Sequence, residues 1–183
     1  PALGFFYGGL VRQKNIVSTI MQCLIIFALS TGVWTIVGFS LAFAPSRGGF
    51  IGGLEYVFLH GVGAAPNDAY AGTIPSSLFY FFQLKFAAIT PALIIGAFAE
   101  RIRFRSLLVF VVLWTVVVYA PAAHWVWGVG GWLRDLGALD FAGGTVVHVL
   151  AGVSALGSAM VIGRRDKSAH AARPSNVPFV ILG

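Results

Sequence analysis

Residues 137–163 read GALDFAGGTVVHVLAGVSALGSAMVIG, and this stretch decides what kind of protein the chain builds. From Thr145 to Ile162 there is no acidic or basic side chain apart from one histidine. A helix of that length is about 27 Å long at roughly 1.5 Å per residue, close to a hydrocarbon core. His148 would sit in or near the membrane, where an ionisable side chain is costly and usually functional. Gly144, Gly152, Ala155 and Ala159 share its helix face at spacings of three and four. Such a small-residue stripe either packs tightly on other helices or lines a narrow path. Asp140 stands just ahead of the helix start, and HWVWGVGG at 124–131 lies one loop upstream.

The rest of the 183 residues agrees with a membrane solvent. Hydrophobic content is 58%, charged content 10% and mean hydropathy +0.87, outside the range of ordinary soluble domains. Uncharged runs at 15–46, 106–133 and 141–163 are each long enough to span a bilayer, and a fourth, 74–99, is interrupted only by Lys85. The lone Cys23 excludes an internal disulfide and reads as a small packed hydrophobe. A net charge of +6 invites a nucleic-acid reading, but the basic residues are not pooled on one patch. They cluster at 12–14, 101–105 and 164–173. With alternating spans, nine fall on one side and only Arg47 and Arg134 on the other. That is the positive-inside pattern; it makes the clustered side cytoplasmic and argues against a nucleic-acid partner.

Taken in order, residues 1–11 are too short to span and read as the cytoplasmic end of a helix. Complete spans are expected at 16–43, 74–98, 107–127 and 144–162, and another partial helix at 176–183. The Gly-, Pro-, Asn- and Asp-containing stretch 44–72 reads as an external loop, 128–142 as a second external segment, and 163–175 as a basic internal loop. The expected class is an all-α integral membrane protein, a polytopic helix bundle, and an excerpt of a larger one. Neither a signal peptide nor a soluble domain boundary is expected.

Several residues stand out for chemistry. Asp140 can accept hydrogen bonds from the free amides of the first turn after Gly143, as a structural cap or as an acid that shapes the external mouth. Trp125, Trp127 and Trp132 fit an interfacial anchor belt, or a mouth whose indole faces attract a small cation. Phe86 shares a helix face with Gln83 and Thr90, about 18 Å along from Ile74, and fits core packing or a plug in a path. His148 can relay a proton near neutral pH. A metal site is not expected, because His124 and His148 are far apart and neither has a carboxylate at i+3 or i+4. No other cofactor is called for. Lys85 is the outlier, since a lysine so deep needs a partner, a wet cavity or a lowered pKa.

The segments FYGGLVRQKN (6–15), FFQLKFAAITPALIIGAFAERIRF (81–104), AHWVWGVGGWL (123–133) and GALDFAGGTVVH (137–148) resemble the ammonium transporters of the Amt/Mep/Rh family, bacterial Amt proteins in particular. RPSNVPFVILG at 173–183 is similar to the approach to that family's sixth helix. The resemblance is colinear over nearly the whole chain. It implies an eleven-helix protomer of two inverted halves, assembled as a homotrimer with one pore per subunit. This chain would cover the end of helix one to the start of helix six. It also implies roles. Trp127 matches the indole of the external ammonium site, Phe86 one ring of the phenylalanine gate, Asp140 the acid that shapes the mouth, and His148 the first of two pore histidines. The expected activity is ammonium or ammonia transport across the cell's inner (cytoplasmic) membrane, without enzymatic turnover, in contact with lipid and under a cytoplasmic PII-type regulator.

Two departures accompany the resemblance. Lys85 stands beside the gate where a small or apolar residue is expected, and an ammonium there would oppose an approaching cation. The 127–140 segment is one residue longer than in the best-known bacterial members. Three rivals share the residues: an ammonium sensor fused to a signalling domain, an Rh-like channel for neutral gases, and a membrane metalloenzyme. Trp127 argues against the second and the lack of clustered ligands against the third.

Overall fold

The computed structural model describes residues 2–164 and 174–183. Arg165, Lys167, His170 and Arg173 lie outside that set. Helix α1 is Ala2–Leu10. Helix α2, residues 16–43, joins Ile16–Val33, a widened π-helical turn Trp34–Gly38 and Phe39–Phe43 without a break. Helix α3 is Ser76–Leu93, continued by Ile95–Phe98. Helix α4, residues 104–127, joins Phe104–Trp114, Thr115–Tyr119 and Ala120–Trp127. The one-turn α5, Trp132–Asp135, precedes α6, residues 144–162, which joins Gly144–Val149 and Leu150–Ile162. Val177–Leu182 forms α7. Among the described residues four helical stretches are long and apolar enough to cross a membrane: Gln13–Phe43, Ser76–Phe98, Phe104–Asp135 and Gly144–Ile162.

Irregularities in these helices have local causes. Pro91, inside α3, has no amide hydrogen for the carbonyl four residues back, and the helix steps at Ile94 before its last turn. The Tyr7 hydroxyl donates to the Leu93 carbonyl at that step (2.8 Å), tying α1 to α3. Pro121 in α4 follows the widened turn Thr115–Tyr119, which accommodates the missing donor. At 38 only glycine fits, because a Cβ would come 2.8 Å from Trp34 Cε3.

The core is an aromatic column along α2. Trp34, fully buried, packs edge-on to Tyr119 of α4 (5.7 Å), to Phe39 and to Phe43, and Phe43 continues to Phe79 of α3. At the end that the basic residues mark as cytoplasmic, one carboxylate oxygen of Glu100 accepts from the Arg12 amide, Arg12 Nε and Asn15 Nδ2. It thereby closes the α1–α2 turn on the α3–α4 turn. Arg101 reaches across to the Gly163 carbonyl at the end of α6 (2.5 Å).

The structure departs from the sequence expectation in the loops and at two helix starts. The 44–72 stretch carries two small antiparallel hairpins, β1 (Ser46–Arg47) with β2 (Ile51–Gly52) and β3 (Pro66–Asn67) with β4 (Ala71–Pro75). The bundle is all-helical as expected, and the strand pairs are confined to this loop. Helix α3 begins at Ser76 rather than 74, because 71–75 are strand and Pro75 is extended (ψ 139°). Helix α4 begins at Phe104 rather than 107, directly after the extended Arg103. The second outer segment contains the α5 turn.

Candidate functional site

The site lies at the end of the bundle opposite the Arg12–Glu100 cluster, where α3, α4 and the start of α6 meet the loops. Trp127 is the last residue of α4, and the extended Gly128 ends the helix there. Its indole N–H donates to the Asp140 main-chain carbonyl (2.9 Å), which fixes the ring's direction. The Phe86 ring sits edge-on to it, centroids 5.5 Å apart, with Phe82 a further 5.1 Å along. Thr90 donates to the Phe86 carbonyl (2.5 Å) one turn below.

The Asp140 carboxylate is spent on the start of α6. Oδ1 accepts from the Gly143 amide (2.8 Å), and Oδ2 from the amides of Thr145 (3.0 Å) and Val146 (2.8 Å). These are the donors that a helix start leaves without partners, and the negative charge opposes the positive end of the helix dipole. Gly143 is left-handed (φ 87°), and a Cβ there would fall 2.6 Å from Val147 Cγ2, with Phe86 next in line at 3.8 Å. Asp140 thus holds the helix start, and its carbonyl holds Trp127.

Phe86, Trp127 and Asp140 line one cavity of about 520 Å³, together with Phe82, Gln83, Tyr70 and Arg134. Gln83 is 7% exposed, and its amide oxygen has no partner among the described residues. His148 is not among the residues that line this cavity. It lies at the widened first turn of α6, where its amide donates to the Gly143 carbonyl (3.0 Å). Its side chain is exposed and has no polar partner among the described residues. Lys85 is likewise absent from the chamber. Roughly 100° around the helix from Phe86, it lines a separate cleft of about 240 Å³ with Ala2, Leu3, Gly4, Cys23 and Phe27. The expected opposition between Lys85 and a cation at the gate is therefore not built into this geometry.

Sequence reasoning missed Tyr70 and Arg134. Arg134 Nη1 donates to the Trp127 carbonyl (2.7 Å), and its guanidinium lies 5.9 Å from the Tyr70 ring centre. It also weighed His124 only as a metal ligand. The imidazole is wholly buried, with Nδ1 against the Ala42 carbonyl and Nε2 against Ser46 Oγ, both at 2.8 Å. That pair of contacts locks the outer ends of α2 and α4 together. Among the described residues no three His, Cys, Asp or Glu side chains are placed to hold a metal ion.

Apolar spans and an aromatic-lined cavity at one end define a polytopic membrane protein. The family model of the Ammonium Transporter Family matches residues 1–183. The ammonium transporter of Bacillus subtilis (strain 168) is 52% identical over 183 residues, which are all of this chain and 44% of the relative. Candida albicans Mep2 superposes with a TM-score of 0.88 at 37% identity, over 100% of this chain and 41% of that one. A solved sensor Amt protein does so with a TM-score of 0.84 at 30% identity, over 99% and 46%. The chain belongs to the ammonium transporter family, and it spans less than half the length of these relatives.

Proposed function

We propose that the chain supplies the first half of a pore that moves ammonium or ammonia across a cytoplasmic (inner) membrane, as a homotrimer in nitrogen uptake, without enzymatic turnover. The observation that carries this reading is the chamber lined by the Trp127 and Phe86 rings, 5.5 Å apart, and by Gln83, whose buried amide oxygen has no hydrogen-bond partner among the described residues. Ring faces attract a small cation, more strongly where water is excluded. An amide oxygen accepts a directed N–H bond, which ammonium can give and a bare potassium ion cannot. The Phe86 ring, with a second ring supplied from outside residues 1–183, blocks a hydrated ion from going deeper, and carrying a charge through the hydrocarbon layer is costly. Ammonium therefore gives up a proton, neutral ammonia continues, and the proton passes to a ring nitrogen of His148. A second base, supplied from outside residues 1–183, completes the relay. A PII-type regulator would act from the cytoplasmic side.

The test uses the full-length protein in liposomes on a solid-supported membrane. A saturable current after an ammonium jump, absent with potassium and altered in His148→Ala, is the expected result. An ammonium-to-potassium flux ratio unchanged in His148→Ala would remove the histidine from the mechanism. The resemblance to a sensor Amt protein favours a second reading, an ammonium sensor on the same bundle. Binding of ammonium without any current would select it.

A further inference from the structure

We propose that Arg134 is an electrostatic filter at the outer mouth, a fixed guanidinium that weakens cation recruitment by the aromatic chamber and discriminates against ions of higher charge. The inference rests on the chamber being the ammonium site.

A surface arginine ordinarily samples many rotamers, and its charge is diluted in solvent. This one is tethered twice. Nη1 donates to the carbonyl of Trp127, and the guanidinium lies over the Tyr70 ring. Tyr70 is itself held, stacked on Phe79 at 5.3 Å with its hydroxyl accepting from the Val129 amide (3.0 Å). Arg134 and Tyr70 line the same cavity as Trp127 and Phe86, so the charge stands in the wall of the chamber.

The charge is not cancelled by contact. Among the described residues the ion pairs are Arg12–Glu100 and Arg47–Glu55, and Arg134 belongs to neither. The acid of the mouth, Asp140, directs both carboxylate oxygens to the amides of the α6 start. Arg134 therefore acts on an arriving cation in two ways of the same sign. It repels through space, and it already occupies one of the aromatic faces that would receive the cation.

The size of the effect follows from Coulomb's law. In water a unit charge acting over about 7 Å changes a monovalent cation's affinity about threefold. The exponent doubles for a divalent cation, giving about ninefold. Salt at about 1 M shortens the screening length to about 3 Å and suppresses both effects.

The experiment measures the half-saturating ammonium concentration of the full-length protein in liposomes, for the parent, Arg134→Gln and Arg134→Lys, at low and high choline chloride. Expected is a fall of about threefold in Arg134→Gln at low salt, closing at high salt, with Arg134→Lys close to the parent. Competition by magnesium should strengthen about ninefold in Arg134→Gln. An unchanged or higher half-saturation in Arg134→Gln overturns the proposal. So does an equal shift in both variants, which would assign the effect to the bond with the Trp127 carbonyl instead of the charge. No saturable ammonium response in the parent would overturn the transport reading itself, and the filter with it.

Discussion

Replacing Asp140 by alanine removes three hydrogen bonds from the first turn of α6 at once. The residues that supply the Gly143 and Val146 amides are buried, so those two donors lose a partner that water cannot fully replace. Each such donor costs about 1–3 kcal/mol. Thr145 is exposed and its amide regains a water, at little cost. Loss of the negative charge at the helix start adds about 0.3–1 kcal/mol. The sum is about 2–7 kcal/mol, localised where α6 begins. Because the indole of Trp127 hangs on the Asp140 carbonyl, loosening this turn should disturb the chamber as well as the fold. Asp140→Ala in the full-length protein should therefore lower the thermal midpoint and raise the half-saturating ammonium concentration together. Asp140→Asn, which keeps one acceptor oxygen, should fall between. A variant with parent-like thermal stability would refute the reasoning, whatever its transport. A variant destabilised but with unaltered half-saturation would cut the link from cap to indole.

Three further outcomes are expected. Gly143→Ala forces a left-handed residue and a 2.6 Å contact with Val147, costing about 1–2 kcal/mol for the backbone alone, to be read from the thermal midpoint. Lys85→Leu should leave half-saturation unchanged, because Lys85 lines a cleft away from the chamber; a shift of threefold or more would contradict that placement. Burial raises the Glu100 carboxyl, but the Asn15 and Arg12 hydrogen bonds outweigh it and hold the group below its ordinary range. Its contribution is then present above the unfolded carboxyl value, about pH 4.3, and is lost as pH falls through the lower folded value. Glu100→Gln should flatten the acid limb of stability against pH.

Much of this architecture was legible because a bilayer asks for long uncharged runs, and 15–46, 106–133 and 141–163 supply them. Asp140 ahead of two glycines marked the start of α6 for the same kind of reason, since a helix start needs an acceptor at that spacing. The small hairpins were not legible. Strands of two residues have no periodicity to read, and their register is set by turn geometry. Nor could sequence tell which face of α3 looks into the chamber. Lys85 and Phe86 are neighbours in the chain, and only packing against α1, α2 and α4 separates them. Tyr70 and Arg134 escaped notice because a hairpin loop and the one-turn α5 bring them to the mouth from positions 57 residues from Trp127 on one side and seven on the other.

The lock formed by His124 bears on how anything gets past Phe86. Its two ring nitrogens pin the end of α2 and the loop after it to α4, while Trp127 is stitched to the residue that caps α6. Walls cross-braced in this way resist rocking as rigid bodies. The Phe86 ring, half-buried and edge-on to Phe82 and Trp127, is the part that a change of rotamer alone could move. Side-chain rotation belongs to the picosecond-to-nanosecond range, whereas helix rearrangement takes microseconds or longer. On the proposed transport reading, passage would be paced by aromatic rotamers and by proton hand-over, so the mouth would work as a stiff frame around a small swinging door.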